Sequence, residues 1–137
     1  MAITINGSGT ITGITAGGLP DNSITTDDLA SDLTLSGDTT VASVTETITT
    51  KSASFTPNLS TESTIFNCSG TMTITMPSAE AGKSFTVIHS SGSSITWSGT
   101  ILWNGGAAPT AAAAKEIYVF LSDGTNWYGN QAGTGYA

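Results

Sequence analysis

Between Phe85 and Gly129 lie all three tryptophans of the chain, Trp97, Trp103 and Trp127, with two of its three tyrosines and two of its four phenylalanines. Aromatic side chains remove the most area from water per residue, so a core can form here before anywhere else. The stretch is broken every few residues by Ser, Gly, Asn and Asp. That punctuation excludes long helices and fits short strands.

The strand pattern extends over residues 57–137. Strands are predicted at 63–68, 71–76, 84–89, 93–97, 101–103, 116–121 and 126–128. Met72, Ile74 and Met76 alternate with Thr73 and Thr75, and Phe85, Val87 and His89 alternate with Thr86 and Ile88. Tyr118 and Phe120 alternate with Val119 and Leu121, so that strand is apolar on both faces and is expected to be central. Asp123-Gly124 between two apolar runs predicts a hairpin. The expected fold is all-β: a small antiparallel β-sandwich or jelly-roll-like C-terminal domain, preceded by an extended N-terminal arm with a short helix. Trp97 and Trp127 are expected inside. Trp103 and Tyr128, at strand ends, are expected to be exposed and are the candidate ligand contacts, as a stacking platform for sugar rings.

The N-terminal part is built differently. Residues 1–35 are read as an attachment arm. Ile3, Ile5, Ile11, Ile14 and Leu19 are its apolar contacts, too few to fold alone and suited to adding a strand to a partner surface. A short helix is expected over 24–33. Asp27 and Asp28 lie in its first turn, where the helix dipole favours anions, and Leu29 and Leu33 share one face. Residues 36–56 are read as an extended linker and oligomerisation segment. Val41, Val44, Ile48 and Phe55, with Leu29 and Leu33, are the candidate oligomer-packing residues. Ordering costs about 1–2 kcal/mol per residue, and residues 1–56 carry too few apolar side chains to offset it unless a partner supplies burial.

Composition narrows the chemistry. Charged residues make up 9% of the 137, with no arginine and a net charge of −7. Nucleic acid and anionic membranes both select clustered cations, so neither is expected as a partner. No apolar run approaches the ~20 residues of a membrane helix. With one histidine, His89, and one cysteine, Cys68, neither a zinc cluster nor a nucleophile–base–acid set is expected, and no cofactor is implied. Cys68 reads as a small buried hydrophobe and His89 as a hydrogen-bonded structural residue. Asp27, Asp28 and Asp32 lack the spacing of a calcium loop. Glu80, Glu116 and Asp123 are the candidate carboxylates in the β region, and nothing in the sequence brings two of them together.

Several segments resemble a domain of bacteriophage tail-fibre and related virion proteins: Ile74 to Ser78, Gly82 to Ile88, Ile95 to Trp97, Trp103 to Pro109 and Asp123 to Gly129, together spanning about residues 64–129. The N-terminal MAITINGSGTITGI and GLPDNSITTDDLA resemble the start of many phage fibre and appendage proteins. The resemblance implies a non-enzymatic virion structural protein that is homotrimeric and attached to other virion proteins through its N-terminal arm. The expected function is a short tail fibre or appendage. The alternatives are a capsid decoration or cement protein and a carbohydrate-binding module that contacts host surface glycan.

Overall fold

The computed structural model describes residues 40, 42–90, 93–110 and 114–136. Contacts divide the chain into two units, Met1–Ala42 and Ser43–Ala137, and the description below concerns the second. The attachment-arm residues Ile3, Ile5, Ile11, Ile14 and Leu19 lie outside the described residues. So do the helix expected over 24–33, with Leu29 and Leu33, and Val41.

The described residues are all-β, with eight strands and no helix. They are β1 (Ile48–Lys51), β2 (Ile65–Cys68), β3 (Met72–Thr75), β4 (Ser84–His89), β5 (Ile95–Ser98), β6 (Ile101–Trp103), β7 (Lys115–Ser122) and β8 (Trp127–Tyr136). Six form one sheet in the order β1-β2-β4-β7-β8-β6, and β3 and β5 form a second.

The pairing corrects the antiparallel expectation. Strands β1, β2 and β4 are mutually parallel, as are β3 with β5 and β6 with β8. Only β4–β7 and β7–β8 are antiparallel. The reason lies in the route of the chain. After β2 it crosses to the small sheet for β3, returns for β4, and crosses again for β5. Parallel neighbours need a crossover between them, usually a helix; here a strand of the other sheet takes that place. The first crossover follows the same course, because Phe55 forms a parallel bridge to Ile74 of β3. The chain therefore winds as a flattened coil, in which Ile48, Ile65 and Thr86 lie side by side on successive turns.

Side-chain alternation decides which face of the large sheet is covered. Phe66 and Cys68 of β2, Phe85 and Val87 of β4, Tyr118 and Phe120 of β7, and Trp127 of β8 point inward and form one buried cluster with Met72 and Ile74 of β3. Phe85 stacks on Phe120 with ring centroids 4.5 Å apart, and Trp127 meets Phe85 edge-on at 5.2 Å. The Trp127 indole N–H donates to the Pro77 carbonyl at 2.8 Å, which satisfies the one polar atom that ring brings into the core. Cys68 is fully buried. Burial pushes its thiol up to about 11, against a smaller opposing pull from Lys51.

Two further expectations change. Residues 48–51, read as part of a linker, form an edge strand of the large sheet, so sheet structure starts ahead of residue 57. Strand β8 runs to Tyr136 rather than stopping at 128. At Gly129 glycine follows from close approach. A Cβ on Gly129 would sit 2.9 Å from both Ile101 and the Trp103 ring, which lie across the β6–β8 pairing. Gly129→Ala must displace an indole held in the core and is expected to cost roughly 1–3 kcal/mol. An unchanged urea midpoint in that variant would contradict the packing described.

The β7–β8 connection is the hairpin expected from Asp123-Gly124. Gly124 has φ +96°, a conformation that side-chain-bearing residues avoid. The Asp123 carboxylate accepts from the backbone N–H of Asn126 at 2.7 Å and of Thr125 at 2.8 Å, and from the Tyr128 hydroxyl at 2.9 Å. Those donors hold its pKa down to about 2, from an ordinary 3.8. A depressed carboxyl stabilises the fold above its unfolded pKa, and that contribution is lost as pH falls through the folded value. Thermal melts are therefore expected to drop between about pH 4 and about pH 2, and Asp123→Asn should flatten that limb.

Candidate functional site

Two features of the β unit could carry function: a polar cluster around the buried pair His89 and Glu116, and the face of the large sheet that no described strand covers.

The cluster begins with a register. His89 of β4 is the cross-strand partner of Glu116 of β7, and alternation turns both inward, where neither has exposed surface. The Glu116 carboxylate accepts from the Tyr118 hydroxyl at 2.9 Å and from the Gln131 side-chain amide at 2.9 Å. Burial and then the adjoining carboxylate push the Tyr118 phenol well above its ordinary value. His89 Nδ1 lies 3.7 Å from the carboxylate and has no hydrogen-bond partner among the described residues. Its Nε2 is 3.0 Å from Ser93 Oγ and 3.2 Å from the Gly70 carbonyl.

Ser93, His89 and Glu116 thus lie in the order nucleophile, base, acid. The surroundings work against that use. The Ser93 hydroxyl also reaches the Ser90 carbonyl at 3.3 Å, and Gly70 competes for the same imidazole nitrogen. The surface depressions around Leu102, Pro57 and Glu46 are not lined by Ser93, His89 or Glu116. Among the described residues no group of three or more His, Cys, Asp or Glu side chains is arranged to hold a metal ion. The carboxylates of the β region do not converge: Glu116 is buried near the start of β7, and Asp123 is exposed in the turn beyond its end.

The uncovered face is built by the opposite set of alternating side chains. Hydrogen-bonded register lines them up in three rows across the sheet. One row runs Leu102, Tyr128, Leu121, Ser84. The second runs Asn130, Val119, Thr86, Ile65, Ile48. The third runs Ile117, Ile88, Asn67, Thr50. Leu121 is 56% exposed, Ile48 53%, Leu102 and Tyr128 45% each, and Val119 36%. No side chain in these rows carries a charge at neutral pH. The Tyr128 hydroxyl donates to the Asp123 carboxylate, which pushes its pKa up. At the β6 end, Leu102, Leu121, Tyr128 and Val119 line an open groove of about 630 Å³, with Asn104 and Asn130 at its margin.

The proposed ligand pair is split by this geometry. Tyr128 is exposed on the outer face, but Trp103 turns the other way and packs edge-on against Trp97 at 5.4 Å. The expected exposure of Trp103 is corrected to half-burial. It directly follows Leu102, which faces out, so strand alternation sends it in. The two rings do not form one stacking platform. Of the oligomer-packing candidates, Val44 is exposed, Ile48 lies in the outer rows, and Phe55 packs inward against Phe66 at 5.2 Å. Alternation along β7 could have revealed the buried carboxylate, because Glu116 is in phase with Tyr118 and Phe120.

Comparison with known proteins adds no relative: no family model, curated protein or solved structure matches the chain.

Proposed function

We propose that this chain is a non-enzymatic structural protein of a bacteriophage virion. In this reading it is a homotrimeric short tail fibre or similar appendage, mounted on other virion proteins through its N-terminal arm, with the β unit as a sandwich-like body. The observation that carries the proposal is the body's six-stranded sheet, which packs one face into the core and presents on the other, among the described residues, an uncharged surface of large apolar side chains mixed with Ser, Thr and Asn. A face of this kind suits a subunit that another chain completes. The resemblance of residues 64–129 to phage appendage domains supplies the setting. The non-enzymatic reading draws on the full burial of His89 and Glu116, which line none of the depressions around Leu102, Pro57 and Glu46.

Two measurements test this. Light scattering on the purified full chain should give a particle of three times 13.8 kDa, about 41 kDa. Cryo-electron microscopy of the virion should place it on the tail. Density on the capsid shell would instead favour a decoration protein, and a stable monomer absent from virions would overturn the structural role.

A further inference from the structure

We propose that copies of this chain meet through the outer face of the six-stranded sheet, with Leu121, Val119, Ile117, Ile88, Ile65 and Tyr128 at the contact. The inference rests on the homo-oligomeric reading above and adds the surface that performs it.

The first argument is charge. The chain carries ten acidic residues against three basic ones, so contact between two copies generally brings like charges together. The outer rows themselves carry none, and the Asp123 carboxylate borders them only at Tyr128, so two copies meeting over Leu121, Val119, Ile117, Ile88 and Ile65 limit the like-charge juxtaposition that costs several kcal/mol at an interface. Within the rows an acidic or basic protein partner would find no charged side chain to pair with. A second copy needs only apolar area.

Area is the second argument. Six strands span about 24 Å at ~4.8 Å spacing, and strands of β4's length rise about 20 Å. One face therefore measures roughly 500 Å², so three copies that turn this face toward a common axis bury up to about 1,500 Å² across the assembly. The strand sequence points the same way. Strand β7 alternates Ile117, Val119 and Leu121 with Tyr118 and Phe120, a pattern of strands covered on both faces. The small sheet covers only the inner one.

Tyr128 and Tyr136 provide an internal control. Within one chain they are almost equally exposed, at 45% and 46%, but only Tyr128 belongs to the outer rows. Hydroxyl-radical footprinting of the full-length protein in its assembled state should modify Tyr128 several-fold less than Tyr136. Leu121→Glu alters a side chain with little core contact, and it should shift the particle to a folded monomer by light scattering and near-ultraviolet circular dichroism. Equal labelling of the two tyrosines in an oligomer, or a Leu121→Glu protein that assembles as wild type does, overturns the face while leaving the oligomeric reading intact. A monomeric wild type overturns both. If Leu121→Glu does not fold, the tyrosine ratio decides alone.

Discussion

Glu116→Ala is expected to remove most of the stability of the β unit. Breaking a buried ionic or charge-assisted network by deleting one member costs about 3–5 kcal/mol, and small domains hold only about 5–15 kcal/mol in total. The loss has identifiable parts. The Tyr118 hydroxyl and the Gln131 amide lose their acceptor in the core, and His89 then faces a void. Glu116→Gln keeps the volume and one acceptor oxygen, so its loss should be nearer the 1–3 kcal/mol of a single unsatisfied group. Replacing Glu116 and His89 together by leucine refills the volume but still leaves the Tyr118 hydroxyl and the Gln131 amide without their acceptor, so it should recover only part of the loss. Urea unfolding followed by tryptophan fluorescence measures all three. A Glu116→Ala midpoint matching wild type would show that the cluster contributes nothing.

Trp127→Ala should rank beside it, at about 3–5 kcal/mol for truncating a buried aromatic. The indole is 3% exposed, sits edge-on to Phe85 and donates to Pro77. Its hydrogen bond fixes the segment after β3 against β8, across fifty residues of sequence. Trp127→Phe separates the two contributions. It retains most of the buried ring and loses the donor, leaving the Pro77 carbonyl unpaired at a cost of roughly 1–3 kcal/mol. The same unfolding curves decide. Equal losses for Ala and Phe would place the whole effect in the hydrogen bond.

Strands were legible wherever alternation was carried by large side chains. Ser84–His89 and Ile101–Trp103 have the boundaries expected, and the central place of β7 followed from apolar residues on both of its faces. Two strands were obscured for opposite reasons. β1 is Ile-Thr-Thr-Lys within a run of threonines and serines, where nothing distinguishes the paired residues from their neighbours. β8 beyond Tyr128 reads Gly-Asn-Gln-Ala-Gly-Thr-Gly, and its extension comes from the β7 backbone beside it. Parallel pairing was hidden because sequence periodicity reports which face a residue occupies and not which strand lies next to it. Buried Glu116 was overlooked as a core residue because a carboxylate in a strand usually reads as solvated.

The position of β8 sets the order in which the β unit can form. β7 and β6 flank it in the sheet, and β6 has no other neighbour in that sheet. As the chain emerges from the ribosome, β6 is made early but must wait for β8 to find its partner. Until then Trp103 lacks the glycine it covers and Phe85 lacks the indole that closes over it. The parallel turns of β1, β2 and β4 bring together segments distant in sequence, which makes them slow to form and exposes their edges to other chains meanwhile. Folding of this unit is therefore completed from its C-terminal strand.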